Sequence, residues 1–243
     1  MNKKIKIKSR EKNYFIEIKY NFFRNKLINL IKDNNKIIII IDRNVEYLLK
    51  NIKFKNNILI IKIKGSEKIK NFNNFEILTN KILSFGVDRN SIVIAIGGGT
   101  IGDLSGFVAS TILRGVKFIL MPTTLLSQVD SSIGGKVGVN HRLGKNLIGA
   151  FYQPSIVISD PVVLNTLPRR EFRSGLYEII KYGMIRDPDL FQRLHSNLSD
   201  ILSLDPIELV HIISTSCRIK ASVVSEDEYE GNIRRILNFG HTA

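Results

Sequence analysis

The spacing of hydrophobic and polar positions changes along this chain and predicts its elements. In residues 3–8 and 14–20, apolar positions alternate with polar and charged ones, which is the period of a strand with one buried face. These segments predict a hairpin at a sheet edge, where lysines oppose pairing with other chains. Apart from Lys36, the segments 36–41 and 92–96 are continuously apolar and rich in β-branched residues, which favours strands buried on both faces. A further strand is predicted at 58–63.

Helical segments are predicted between these strands. One follows Gly65 and runs towards Leu83, with Ser66 as its N-cap, and another covers 101–110. Further strands are predicted at 116–120 and 156–159, the second at a sheet edge. Strands that alternate with helices predict an α/β fold, doubly wound around a largely parallel sheet.

Beyond residue 160 only helical periodicity remains, and it predicts three helices, over 168–185, 188–202 and 206–225. We therefore predict two domains. An α/β domain covers residues 1–159, and an all-helical domain covers 160–243.

A glycine turn follows the central strand. Gly97, Gly98 and Gly99 permit positive φ and let a ligand approach the backbone, and the helix after them offers free N–H groups and a positive dipole end. This arrangement is suited to the pyrophosphate of a dinucleotide. The spacing is not the usual G-x-G-x-x-G, so an ordinary tight turn is the alternative. Asp42, at another strand end, has two interpretations: it meets a ribose hydroxyl, or it caps a helix over 45–50.

Composition narrows the functional classes. The 243 residues carry a net charge of +14, but lysines alternate with isoleucines as on solvated strand faces, and no aromatic–basic platform is present. We therefore predict no nucleic-acid partner. No apolar run reaches about 18 residues, which predicts no membrane span. Cys217 is the one cysteine, and the N-terminus lacks a signal-peptide pattern, so a cytoplasmic location is expected.

Residues 127–150 are dense in small and functional side chains, which predicts a long functional loop. Lys136 and Lys145 within it are suited to phosphate or carboxylate groups. In the first C-terminal helix, Glu178 and Lys181 stand three apart and share one face, and an exposed helical ion pair is the alternative to a functional role.

Taken together, these residues resemble the 3-dehydroquinate synthase family of sugar phosphate cyclases. The matching stretches include 97–103, 114–116, 121–136, 140–154, 176–183, 218–221 and 237–242. The match is nearly continuous over 91–243 and loose before that, mainly at 65–70.

The resemblance implies a lyase of the shikimate pathway of aromatic amino acid biosynthesis that needs NAD and a divalent metal, zinc or cobalt. Its substrate would be 3-deoxy-D-arabino-heptulosonate 7-phosphate. NAD transiently oxidises a ring hydroxyl, phosphate leaves by elimination, NADH returns the hydride, and the ring recloses as a carbocycle. The resemblance also implies a homodimer.

The resemblance assigns roles position by position. The metal ligands would be Glu178 and His241. The NAD site would be lined by Gly65, Ser66, Glu67, Lys68, Ile69, Lys70, Gly99, Thr100, Ile101, Gly102, Asp103, Thr123, Thr124, Lys136, Lys145, Val163, Leu164, Asn165 and Thr166. The substrate would be contacted by Asp130, Lys136, Asn146, Lys181, Lys220, Arg234 and Asn238, with Arg114 reaching the site of the neighbouring subunit.

The family pattern continues past His241-Thr with Phe-Gly-His-Ala and further helices, whereas this chain ends at Ala243. We therefore expect a C-terminally truncated member whose helical domain is incomplete and whose activity is weak or absent. Two alternatives are a non-catalytic NAD-binding remnant and a polyol dehydrogenase that uses NAD and a metal. The remnant would bind NAD but release no phosphate and form no net NADH, whereas the dehydrogenase would form net NADH from glycerol-like substrates.

Overall fold

A computed structural model describes residues 2–10, 12–228, 231 and 233–240. Its main sheet contains seven strands: β1 (Asn2–Ile7), β2 (Tyr14–Lys19), β3 (Ile37–Asp42), β4 (Ile58–Ile63), β5 (Ile92–Gly97), β6 (Lys117–Pro122) and β9 (Ile156–Ser159). The order is β1-β2-β9-β6-β5-β3-β4, and β1 alone pairs antiparallel with its neighbour. The predicted doubly wound α/β architecture is confirmed.

Both faces of the sheet centre are covered. Along β3, Ile38 and Ile40 enter a core shared with α2 (Phe72–Ser84) and α3 (Gly99–Thr111), and Ile37 and Ile39 enter a second core with α1 (Phe23–Leu30). Successive residues of a strand point to opposite faces, so an unbroken isoleucine run supplies both cores.

The C-terminal segment is helical, as predicted. It contains α4 (Arg169–Arg186), α5 (Pro188–Ser196), α6 (Leu198–Leu202) and α7 (Pro206–Glu226). These helices share a hydrophobic cluster with β1 and β2, in which Tyr14 and Ile16 meet Tyr182 and Ile213. The described residues contain no helix with the length and apolar character that a bilayer span requires. The domain boundary at residue 160 stays a prediction.

Four sequence-based predictions of local structure were wrong. Residues 127–150 are not one loop, because a π-helical turn (Ser127–Ser131) leads into a hairpin of β7 (Lys136–His141) and β8 (Gly144–Phe151). The strand at 156–159 is internal, since it pairs with both β6 and β2. Ser66 caps no helix; a short 3₁₀ turn precedes α2, whose N-cap is Asn71. The segment 188–202 forms two helices.

Candidate active site

The three glycines at the junction of β5 and α3 are needed for close packing. None of them has a positive φ, which corrects the reason predicted for their presence. A Cβ atom on Gly97 would lie 2.7 Å from the Cβ of Ile101, and one on Gly99 would lie 2.9 Å from the Oγ of Ser131. The bare backbone therefore brings the start of α3 directly against the end of the central strand.

The N-terminus of α3 is open to an anion. Its N-cap is Gly98, no side chain caps the first amides, and its first turn holds no acidic residue. Because those N–H groups and the helix dipole attract negative charge, the turn fits a pyrophosphate. It lies beside the point where the strand order reverses, between β3 and β5, which is where doubly wound sheets bind ligands.

Asp42 ends β3 on the same edge. Its Oδ1 accepts hydrogen bonds from the amide of Asn44 at 3.0 Å and from that of Gly65 at 3.2 Å. The capping interpretation of Asp42 is therefore confirmed, although the capped element is a 3₁₀ helix (Arg43–Leu49). The same carboxylate also fixes the start of the 65–70 segment.

Lys70 is a buried junction between three segments. Its Nζ lies 2.6 Å from Oδ2 of Asp103 on α3 and donates to Oδ1 of Asn146 on β8 at 2.5 Å. The backbone amide of Asn146 in turn donates to Oδ1 of Asn140 at 2.9 Å. Burial raises the pKa of Asp103 and outweighs the lowering effect of Lys70.

A cavity of about 570 Å³ opens next to α3, between the β7–β8 hairpin and helices α4 and α7. Nine residues predicted to have functional roles line it. They are Asp103, Asp130, Lys136, Asn146, Glu178, Lys181, Lys220, Arg234 and Asn238. Four of them are lysines or arginines, which are suited to anionic groups of a ligand, and three are carboxylates, which can accept hydrogen bonds from its hydroxyls.

Asp130 is held by two buried neighbours. The ammonium of Lys220 forms an ion pair with its Oδ1, and the hydroxyl of Tyr182 donates to the same oxygen at 2.7 Å. Burial alone would raise the pKa of Asp130, but Lys220 and the hydrogen bonds lower it overall. Burial lowers the pKa of Lys220 and raises that of Tyr182.

Glu178 and Lys181 form the pair predicted from their spacing. Lys181 Nζ lies 2.5 Å from Glu178 Oε1 and donates to the carbonyl of Leu237 at the same distance. A carboxylate at the cavity wall fits one oxygen ligand of a divalent metal. The other predicted ligand, His241, lies outside the described residues, which contain no group of three metal-ligating side chains.

Arg234 is fixed by a network that the sequence did not predict. Its Nη1 donates to the carbonyl of Glu228 at 2.5 Å, and its guanidinium covers Gly134, whose φ is +100°. Glu228 accepts from Gln153 at 2.9 Å and from the amide of Arg10 at 2.8 Å. These partners are far apart in the chain, so no local pattern could have revealed Glu228 or Gln153.

Several predicted residues do not line this cavity. Arg114 is exposed, on a turn where Leu113, Arg114 and Gly115 all have positive φ. Lys145 is exposed on β8. Thr123 and Thr124 follow the end of β6, and a Cβ on Gly98 would lie 3.1 Å from Thr124 Cγ2.

The two remaining predicted NAD-lining stretches lie on or near the carboxyl edge of the sheet. Within 65–69, Ser66, Glu67 and Lys68 are exposed. In the 3₁₀ helix Pro161–Thr166, Val163 and Leu164 are core residues, whereas Thr166 Oγ1 lies 2.8 Å from the hydroxyl of Tyr47. The functional roles of all these residues stay predictions.

Comparison with protein families gives two adjacent matches. The family described as 3-dehydroquinate synthase N-terminal matches residues 60–174, and that described as 3-dehydroquinate synthase C-terminal matches residues 175–243.

Curated relatives carry the same name. A 3-dehydroquinate synthase of Prochlorococcus marinus subsp. pastoris is 50% identical over 220 residues, which cover 87% of this chain and 61% of the relative. The protein of Koribacter versatilis is 53% identical, with 76% and 50% covered. That of Prochlorococcus marinus strain MIT 9215 is 44% identical, with 100% and 70% covered. The chain thus spans about 50–70% of the length of these relatives.

Three solved structures are similar to this chain. A 2-deoxy-scyllo-inosose synthase complexed with carbaglucose-6-phosphate, NAD+ and Co2+ gives a TM-score of 0.86 at 26% identity, covering 98% of this chain and 67% of that chain. A 2-epi-5-epi-valiolone synthase of Streptomyces hygroscopicus with NAD+ and Zn2+ gives 0.85 at 27%, covering 96% and 67%. A probable glycerol dehydrogenase of Sinorhizobium meliloti, at 14% identity and a TM-score of 0.63 over 86% and 64%, shares the fold alone.

Proposed function

This chain belongs to the 3-dehydroquinate synthase family, and we propose that it carries out the family's reaction as a lyase of the shikimate pathway. The reaction converts 3-deoxy-D-arabino-heptulosonate 7-phosphate to 3-dehydroquinate and inorganic phosphate. One observation carries the proposal: a cavity lined by four lysine and arginine side chains adjoins α3, whose N-terminus is open and whose Asp103 lines the cavity.

The proposed substrate carries a carboxylate and a phosphate, and the cavity offers matching charges. Lys136, Lys181, Lys220 and Arg234 would hold these groups and stabilise the charge that develops on the departing phosphate. Asp130 and Asn146 would accept or donate hydrogen bonds at the ring hydroxyls and so orient the ring. The hairpin β7–β8 forms one wall and would limit access of water.

The proposed cofactors are NAD and a zinc or cobalt ion. The amides of Gly98 and Gly99 at the start of α3 would hold the pyrophosphate, beside Thr124 and the 65–70 segment. Glu178 would supply one metal ligand, with His241 as a second. When bound, NAD would take up and return a hydride, and the metal would polarise the hydroxyl that loses it.

We further propose a cytoplasmic homodimer. Arg114 is exposed and lies outside its own cavity, which is the placement expected of a residue that serves a second copy. The free cysteine, Cys217, is buried, and burial raises its pKa to about 12. The sequence offers no second cysteine for a disulfide with it, as is usual for proteins of a reducing compartment.

A phosphate-release assay tests the proposal. The chain is incubated with the heptulosonate phosphate, with and without NAD and zinc, while inorganic phosphate and NADH absorbance are both followed. Phosphate release that depends on NAD, without net NADH, supports the proposal. NAD binding without phosphate release would contradict it in favour of a non-catalytic binding protein, and net NADH formed from a polyol would favour a dehydrogenase.

A further inference from the structure

Asp130 presents its two carboxylate oxygens to different surroundings. The ammonium of Lys220 and the hydroxyl of Tyr182 both bind Oδ1. Among the described residues, none is found to donate a hydrogen bond to Oδ2. Since Asp130 lines the cavity, Oδ2 is the oxygen left for a ligand.

Tyr182 is itself fixed. Its ring is fully buried in the cluster that joins α4 and α7 to β1 and β2, among Tyr14, Ile179 and Ile213. The hydroxyl lies 2.7 Å from Asp130 Oδ1 and 3.4 Å from the carbonyl of Val129, so the shorter bond takes its single proton. A phenol has no other donor, and the rigid ring fixes the position of the oxygen that carries this proton.

Lys220 alone would not define the orientation of Asp130. Its Nζ donates both to Oδ1 and to the carbonyl of the same residue, and an ammonium on a flexible stem has no fixed direction. The hydroxyl of Tyr182 supplies a second, fixed donor from another helix. Two donors from different elements hold Oδ1 and prevent the carboxylate from turning.

We propose that Tyr182 is a positioning residue, which orients Asp130 so that Oδ2 accepts a hydrogen bond from a hydroxyl of the ligand in the cavity. The identity of that ligand as a sugar-acid phosphate rests on the function proposed above. The orientation of Asp130 does not, and it can be tested without a ligand.

The first test is a crystal structure of Tyr182→Phe beside the wild-type protein. We expect the Asp130 carboxylate to rotate or to occupy two conformers once the hydroxyl is lost. An unchanged single conformer would overturn the proposal, and so would a variant that cannot fold, because the hydroxyl would then be a requirement of the fold. Tyr152→Phe is the matched control, since its hydroxyl donates to Val116 O at 2.7 Å, away from Asp130.

The second test is calorimetric binding of the heptulosonate phosphate to wild type, Tyr182→Phe, Asp130→Asn and the double variant. Tyr182→Phe should weaken binding about tenfold, and this effect should fall below about twofold when Asp130 is already Asn. Equal weakening in both backgrounds would overturn the positioning role. A wild-type protein that does not bind the sugar phosphate would refute the proposed function, while the crystal structures would still decide the role of Tyr182.

Discussion

Lys70 and Asp103 meet at 2.6 Å between Nζ and Oδ2, and this contact ties the 65–70 segment to α3 at the wall of the cavity. Lys70 also holds Asn146 on the hairpin, so three segments depend on one buried ammonium. Because α3 carries both the glycine turn and Asp103, the proposed anion-binding turn and the cavity are parts of one structure.

Replacement of this ammonium should destabilise the fold in a pH-dependent way. Burial raises the pKa of Asp103 above its unfolded value, so the folded state binds the proton more readily and stability falls as pH rises through the folded pKa. Lys70→Met removes the ammonium that lowers this pKa. The pKa of Asp103 should then rise further, and the loss of stability with rising pH should become larger. We expect a loss of about 1–3 kcal/mol at neutral pH, and less below the unfolded pKa of about 3.9.

Urea unfolding of the wild type and of Lys70→Met, at neutral pH and below about pH 3.9, measures this difference in the free energy of unfolding. Lys26→Met is the matched control, since Lys26 forms a more exposed pair with Glu17 at 2.5 Å and should cost at most about 1 kcal/mol. A loss for Lys70→Met that is no larger at neutral than at acidic pH would contradict the role given to the pair.

The glycine turn should be intolerant of a single methyl group. Gly97→Ala places a Cβ 2.7 Å from the Cβ and Cγ1 of Ile101 and would displace the first turn of α3. We expect a destabilisation of about 1–3 kcal/mol and at least about tenfold weaker NAD binding. Gly231→Ala is the control, because its nearest neighbour would be Asp227 at an ordinary 3.7 Å. Unchanged NAD affinity in Gly97→Ala would argue against the turn as the binding site.

Lys181 should have opposite effects on two ligands. Its ammonium lies 2.5 Å from the Glu178 oxygen proposed to bind a metal, and two cations this close repel each other. Lys181→Met should therefore bind zinc at least about tenfold more tightly and the sugar phosphate more weakly. Lys62→Met, from the exposed pair with Glu46 at 3.1 Å, is the control. If calorimetry finds that both affinities fall, Lys181 does not compete with the metal.

The sequence was sufficient for the parts of the fold that rest on periodicity. Unbroken isoleucine runs predicted the buried parallel strands, and helical spacing after residue 160 predicted the C-terminal helices. The hairpin at 136–151 was missed because its glycines and polar residues resemble a loop, although Gly138 and Gly149 pack backbone to backbone. The internal position of β9 was missed because strand order depends on partners far away in the chain.

In the candidate site too, residues within sequence motifs were predicted, whereas contacts between residues far apart in the chain were not. Nine of the residues predicted from the family resemblance, including Asp130 and Lys220, line one cavity in the structure. Tyr182, Gln153 and Glu228 were missed, because each acts through a contact with a residue at least 50 positions away. The alternative of an exposed ion pair between Glu178 and Lys181 was wrong, because both side chains are buried and line the cavity.

The most direct test of the account is an NMR titration of the wild-type chain, labelled with ¹⁵N-glycine, with NAD. If the start of α3 holds the pyrophosphate, the amide resonances of Gly98 and Gly99 shift saturably with NAD, and those of Gly65 and Gly102 follow. Gly86, which precedes β5 at the opposite end of the strand from the glycine turn, stays unchanged. NAD that leaves the resonances of Gly98 and Gly99 unshifted at saturating concentration would contradict the account.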